Sequence, residues 1–525
     1  MRETRPQGEH PDERAPESPD GLGAPPEILV VALAAVAAGI VLRFVTRSAL
    51  WLDEALTVNI AELAVTDLFE ALRQDGHPPL YYLMLHGWME LFGTGDVAVR
   101  ALSGVLGVLS LPLAFLYGRR RGGPVLGWCL TAVVALSPFA LRYSTETRMY
   151  SLVVLLVLVG ALLLDDVMAR GRATPLRLVG IALTTAALLY THYWAIWLLA
   201  AVTLGLGWRL WRRRGSGERG PVVPVLGAMV LGGVLYLPWV PTMLYQSANT
   251  GTPWAGPVRP TTVVSITMVD FAAGSFPDGP LVAFVVATVA LLGLFGRGID
   301  RHTIRLDLRT VPQLRPEAAL VALTMVLGTV FIYATWSAYA TRYAAVVLPL
   351  YFVLVAGGIT RFVGRAVRVG VLVVVLTAMS IGAIWNVRDQ RTQARVNAEA
   401  IASEAGPGDL VIYCPDQLGP AGSRELGDDI EQVVYPTFGD PERIDWVDYG
   451  ERNTAADPDA FAAEALARAG DRGIFLVWNA SYRTFETQCE RLLSAIATAR
   501  PTIELVPNRG GTFFEHATVS WSPPL

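Results

Sequence analysis

Eleven stretches of mostly apolar residues fill the first 390 positions of this 525-residue chain, and they limit what it can fold into more than any other feature. They lie near 28–46, 99–118, 124–141, 150–169, 176–191, 193–211, 222–243, 280–296, 317–336, 343–360 and 367–386. A helix needs about 20 such residues to cross the hydrocarbon layer of a bilayer, so the sequence predicts a polytopic α-helical membrane protein with about eleven transmembrane helices. Charged residues make up 17% of the chain and hydrophobic ones 53%; soluble domains carry roughly a quarter charged, so an ordinary soluble enzyme is excluded. The net charge of −4 gives no reason to expect nucleic acid as a partner. All 42 cationic side chains are arginine, a coding bias expected of a GC-rich bacterial genome. Cys129, Cys414 and Cys489 are too few for a disulfide framework or a structural zinc site.

Arginine placement sets the expected orientation. Alternate loops and the N-terminal run carry twenty-two arginines, among them Arg119, Arg120, Arg121, Arg213, Arg214 and Arg219, whereas the opposite loops carry eight. Residues 1–26, rich in Pro, Gly and acidic side chains, are therefore expected to be a disordered cytoplasmic tail. They are not a signal peptide, because the apolar stretch that follows is too long and ten more succeed it. The segment 77–93 is apolar enough to be taken for a twelfth span, but that would reverse the side of nineteen of the twenty-two arginines. Its Tyr82, His86 and Glu90 recur every four positions, which predicts a juxtamembrane helix with one wet stripe. The expected organisation is a tail 1–26, a transmembrane domain 27–387 with a first outer loop 48–98, and an extracytoplasmic domain 388–525, in a multi-pass plasma-membrane protein.

The outer loops hold the unusual residues: Asp53 and Glu54; His77; Glu146, Arg148 and Tyr150; His192; and Arg342 with Tyr343. Charged groups at span ends are costly unless paired or facing a wet cavity, so their gathering on one face predicts a functional cavity. Carboxylates suit a general base, arginines hold a phosphate through forked hydrogen bonds, and aromatic rings stack on a sugar. A sugar linked to a lipid phosphate meets all three conditions. No cofactor is required, although an oxygen-ligand site for a divalent cation near Asp53 and Glu54 stays open. Arg142 is read as reaching lipid headgroups.

The order of these motifs resembles the GT-C glycosyltransferases. It runs Asp53-Glu54 after the first span, His77-Pro78-Pro79-Leu80 at a helix start, Ser144 through Arg148-Met149-Tyr150, and Arg342-Tyr343 opening a late span. Within that class it is most similar to the protein mannosyltransferase and aminoarabinose transferase branch, glycosyltransferase family 39. The resemblance covers roughly 28–390. It implies transfer of a sugar, mannose or a related one, from a polyprenyl-phosphate donor to a protein, lipid or glycan acceptor, with inversion at the anomeric carbon. It further implies Asp53 as the catalytic base with Glu54 in support, Glu146, Arg148 and Tyr150 lining the cavity, and Arg342 with Tyr343 at the donor phosphate. His77 and His192 are candidate binding residues.

Beyond Trp385 the composition changes. Strand-like runs at 410–414, 433–435, 473–478, 503–506 and 516–521, with helical patterning at 394–405, 458–469 and 482–498, predict a small α/β domain. It carries no phosphate loop, nucleophile elbow or zinc pattern. The alternative reading of the whole chain is a transporter or flippase of a lipid-linked solute; such proteins favour internal repeats and broken helices at mid-depth, and neither is evident here.

Overall fold

The computed structural model describes residues 23–212, 220–251, 255–427, 429–480 and 482–525. Most of the tail expected at 1–26, and the orienting arginines Arg213, Arg214 and Arg219, lie outside these residues.

The chain opens with α1 (Pro26–Leu42), followed by three helices before the next long apolar element: α2 (Leu52–Glu62), α3 (Val65–Asp75) and α4 (Leu80–Phe92). Then come α5 (Asp96–Leu136), α6 (Pro138–Ser144), α7 (Tyr150–Arg170), α8 (Pro175–Thr191), α9 (Ala195–Arg212), α10 (Val222–Tyr236), α11 (Val240–Asn249), α12 (Pro260–Ala273) and α13 (Gly279–Phe295). A short hairpin, β1 (Gly296–Gly298) with β2 (Ile304–Leu306), leads to α14 (Arg315–Thr335), α15 (Leu348–Thr360) and α16 (Arg365–Arg388). Six helical segments among the described residues are long and apolar enough to cross a membrane: Asp96–Leu136, Tyr150–Arg170, Val222–Asn249, Pro312–Thr335, Thr341–Thr360 and Arg365–Arg388. Pro26–Leu42, Pro175–Thr191, Pro260–Ala273 and Gly279–Phe295 are apolar but shorter. The protein is a multi-pass helical membrane protein.

Three details differ from the sequence reading. The stretches at 99–118 and 124–141 fall largely within α5, which breaks at Gly122 and Gly123; Gly123 adopts φ 83°, a left-handed conformation open to glycine. The helix α12 occupies a segment expected to be loop, because at 14 residues, with Thr, Ser and Asp among them, its apolar signal falls short of a span. Finally, the polar stripe of α4 is wet only towards its end, where Glu90 is exposed and His86 half-buried. Tyr82 is fully buried and its hydroxyl donates to Asp75 at 3.0 Å, while His86 Nδ1 bonds the Ala61 carbonyl at 2.8 Å. Spacing of polar residues cannot tell a solvated group from one with a buried partner.

The remaining residues form β3 (Gln390–Thr392), α17 (Ala394–Glu404), β4 (Leu410–Cys414), α18 (Gly419–Leu426), β5 (Glu431–Val434), α19 (Tyr449–Thr454), α20 (Pro458–Ala469), β6 (Ile474–Trp478), α21 (Gln488–Ala499), β7 (Ile503–Val506), β8 (Phe513–Glu515) and β9 (Thr518–Ser522). Five strands make one sheet in the order β5-β4-β6-β9-β7, parallel from β5 to β6 and antiparallel thereafter. Successive strand residues point to opposite faces. Leu410, Ile412 and Cys414 thus pack with α20 and α21 residues, and Val411 and Tyr413 with Ile401 and Leu418. Cys414 and Cys489 are joined by a disulfide, Cα–Cα 5.6 Å. Separately, β3 pairs in parallel with β8. This α/β part rests on the loop helices: Asn59 donates to the Glu442 carbonyl at 2.7 Å, and Trp446 N–H to the Gln74 carbonyl at 3.3 Å.

Candidate active site

The first turn of α2 carries two adjacent carboxylates, a favourable place for negative charge at a helix N-terminus. Neighbouring residues on a helix point about 100° apart, and here the pair divides. Glu54 turns inward and is fully buried. Arg100 grips it with a two-pronged contact, Nε to Oε1 at 2.7 Å and Nη2 to Oε2 at 2.6 Å; the Thr147 N–H adds a bond to Oε1 at 3.0 Å, and Arg391 Nη1 lies 3.4 Å from Oε2. Burial pushes the Glu54 carboxyl up, but Arg100 and Arg391 beside it more than offset this and hold it below the ordinary carboxylate value. Asp53 points the other way. Its side chain keeps 19% exposure, and its Oδ2 lies 3.2 Å from Arg342 Nη1, itself 23% exposed.

Arg148 lies beneath this pair. Its Nη1 donates to Thr57 Oγ1 at 2.7 Å and to the Asp53 carbonyl at 3.2 Å, and its Nη2 donates to His77 Nε2 at 2.9 Å. That bond assigns the His77 proton to Nδ1, which donates to Asp75 Oδ2 at 2.7 Å. The loop Gly76–Pro79 between α3 and α4 thereby fixes the Arg148 guanidinium through a relay of three side chains. An aromatic wall stands alongside: the His192 ring lies 5.5 Å from both Tyr150 and Tyr343, and Tyr343 lies 5.6 Å from Trp194. His192 Nδ1 accepts from the Trp194 N–H at 3.1 Å.

Several groups in this cluster have unused hydrogen-bonding capacity. The Tyr150 hydroxyl and the Nε groups of Arg148 and Arg342 are buried without a hydrogen-bond partner among the described residues. Buried donors are nearly always satisfied. Arg43, Arg361, Arg391 and Arg452 also have an unpartnered Nε among the described residues. What sets this cluster apart is that its spare donors gather beside the part-exposed Asp53–Arg342 contact, where Asp53 Oδ2 also lacks a hydrogen bond among the described residues.

The sequence candidates thus separate. Asp53, His77, Arg148, Tyr150, His192, Arg342 and Tyr343 come together. Glu146 sits one layer below, its Oε1 bonded to Arg142 Nε at 2.6 Å. Arg142 does not reach headgroups: it pairs with Glu146 and, at 3.2 Å, with Asp389. Asp75, Thr57, Arg100 and Arg391 are participants the sequence reading missed. Arg100, a lone charge inside an apolar stretch, carried a usable signal; Arg391 carried none. A cation beside Asp53 and Glu54 does not fit, since both Glu54 oxygens are taken by guanidinium groups. Among the described residues no group of three or more His, Cys, Asp or Glu is arranged to hold a metal ion.

The class of fold follows from solved structures of ArnT. The chain matches apo ArnT from Cupriavidus metallidurans with a TM-score of 0.55 at 14% identity, over 94% of this chain and 97% of that one. The same protein bound to undecaprenyl phosphate gives 0.54, with the same identity and coverage. The Archaeoglobus fulgidus oligosaccharyltransferase in complex with Zn and sulfate gives 0.47 at 10% identity, over 85% of this chain and 68% of that one. This is a GT-C fold, as the motif order implied. More particularly, residues 76–240 match the family model described as dolichyl-phosphate-mannose-protein mannosyltransferase, a segment that holds His77, Glu146, Arg148, Tyr150 and His192. No curated protein matches by sequence.

Proposed function

We propose that the chain transfers a sugar from a polyprenyl-phosphate donor to an acceptor hydroxyl at the extracytoplasmic membrane face, inverting the anomeric carbon, with Asp53 as general base. The observation that carries this reading is the partly open Asp53–Arg342 pair surrounded by unsatisfied donors. A carboxylate and guanidinium that meet at a single contact, with spare donors beside them, suit an incoming anion.

The chemistry requires little else. The acceptor oxygen attacks the anomeric carbon from the face opposite the phosphate and gives its proton to Asp53, while the bond from that carbon to the phosphate oxygen breaks. The phosphate leaves as an anion, so no second carboxyl is needed to protonate it, unlike glycoside hydrolysis. Arg342 and Arg148 stabilise the charge that develops there. Tyr150, His192 and Tyr343 supply the ring wall against which the sugar packs. Glu54 acts from below, holding the first turn of α2. The description of the matching family favours mannose or a related sugar, and the fold shared with a protein that binds undecaprenyl phosphate favours that lipid class for the donor.

The proposed organisation is a cytoplasmic tail 1–26, a transmembrane domain 27–387 and an extracytoplasmic domain 388–525. The Cys414–Cys489 bridge supports this, because disulfides persist on the oxidising side of a membrane. Two tests apply. Purified protein incubated with a panel of polyprenyl-phosphate sugars should consume one of them, and consumption of none overturns the transferase reading. A cysteine at Ser247, exposed on α11, should be labelled from outside intact cells, whereas one at Thr303, exposed on the β1–β2 hairpin, should be protected; the reverse pattern overturns the orientation.

A further inference from the structure

The first turn of α2 is held by residues from the far end of the chain. A helix leaves its first N–H groups without intrahelical partners, and the N-cap residue Trp51 provides no side-chain cap. The partner for Leu52 N–H is instead the Glu515 carboxyl, Oε2 at 2.7 Å, across a sequence separation of 463 residues. Glu515 Oε1 accepts from Thr392 Oγ1 at 3.0 Å, so the cap is fastened to the neighbouring strand, where Thr392 and Glu515 stand opposite each other. Between them and the membrane helices lies Arg391, 1% exposed on its side chain. Its backbone N–H donates to Ser48 Oγ at 2.9 Å, and its guanidinium donates to the Thr145 carbonyl at 2.8 Å and Thr145 Oγ1 at 2.7 Å, besides approaching Glu54. The Phe514 ring meets Trp51 edge to face at 5.5 Å. Asp53 therefore sits between a capped residue, Leu52, and a pinned one, Glu54.

We infer that the β3–β8 pair is a positioning device for Asp53, with Glu515 and Arg391 as its positioning residues, so that transfer depends on the C-terminal α/β part of the chain. This rests on the reading of Asp53 as the base. The first turn of a helix is the part most prone to fray, and a base must be held within a fraction of an ångström of its proton. A displacement of about 1 Å costs on the order of 10²-fold in rate. Arg391 and Glu515 touch neither Arg342 nor Arg148, so the expected effect falls on the base and not on the phosphate contacts.

The test uses the full chain and four proteins: wild type, Asp53→Asn, Glu515→Ala and Glu515→Gln. Burial pushes the Glu515 carboxyl up to about 8, so glutamine, which keeps the acceptor for Leu52 N–H, is the conservative replacement. Glu515→Ala should lower kcat by about 10- to 100-fold with the KM for donor little changed, and Glu515→Gln should recover most of that loss. Hydrogen exchange of the amides at 52–55 should speed up in Glu515→Ala and stay near wild type in Glu515→Gln. A folded Glu515→Ala protein with wild-type kcat overturns the positioning role while leaving the base reading intact. Full transfer by Asp53→Asn overturns the base reading and with it the device. A kcat loss without faster exchange at 52–55 also overturns it, since the cap would then not be what was lost.

Discussion

Two charged clusters sit at opposite ends of the first half of α5, separated by the 21 residues from Arg100 to Arg121, about 30 Å of helix. At the far end Glu317, buried to 1% on its side chain, accepts from Tyr117 at 2.7 Å and from Arg121, and Arg121 reaches Asp165 at 3.1 Å. Every nitrogen of the Arg121 guanidinium is thereby engaged. At the near end Arg342 contacts Asp53 through one nitrogen and leaves its Nε unpartnered among the described residues, as does Arg148. Both clusters contain carboxylate, guanidinium and phenol. The first has its donors engaged and locks helices, with Glu317 Oε2 the atom left over; the second leaves donors unengaged where the proposed donor phosphate would bind. Residue types alone do not separate these two clusters; the engagement of Arg121 against the spare donors of Arg148 and Arg342 does.

The sharpest way to break that contrast is Asp53→Asn. It should lower transfer by on the order of 10²- to 10⁴-fold, the usual span for a general base, measured as consumption of polyprenyl-phosphate sugar; Glu317→Gln should keep the wild-type rate per folded molecule. Next in size come Glu54→Ala and Glu317→Ala. Glu54→Ala strands the buried Arg100 guanidinium and should cost about 3–5 kcal/mol of stability, visible as a fall in thermal midpoint; Glu317→Ala leaves Arg121 half-buried and still paired with Asp165, and should cost less. Asp53→Asn should show no such fall. Arg342→Gln is expected to weaken donor binding by about 10- to 100-fold, the loss of one charged hydrogen-bonding partner, with an unchanged Kd arguing against the phosphate role.

A last test is a pH dependence. The Glu515 carboxyl is raised by burial from its ordinary 4.5 to about 8, with Asp53 and Glu54 adding repulsion. A carboxyl raised on folding binds its proton more tightly in the folded state. Its contribution to stability is therefore full below about 4.5 and is lost as pH rises towards 8. Wild type should lose stability relative to Glu515→Gln across that window, and parallel pH profiles would contradict it.

Much of the membrane part was legible because dense apolar runs carry their own signal. In the α/β part, the helix expected at 458–469 coincides with α20, whose ends are marked locally: Asp457 accepts from Asp459 and Ala460 N–H, Pro458 follows, and Gly470 closes it. The motif residues gathered as a cluster for the same kind of reason, each lying close to a span end. What could not be read was partnership. Asp53 and Glu54 look equivalent until the helix phase separates them, and Tyr82 looks wet until Asp75 is found beside it. Arg391 and Glu515 act through β3 and β8, each three residues long, too short for a periodic pattern and paired with groups hundreds of positions away.

The same distance has a consequence for biosynthesis. Leu52 leaves the ribosome 463 residues ahead of Glu515, so the membrane helices can be inserted and packed long before the cap on α2 exists. Contacts this far apart in sequence form late. If Glu515 serves as inferred, a nascent or prematurely terminated chain holds all the membrane-embedded residues of the site and still lacks the means to aim its base, which keeps unfinished protein chemically silent.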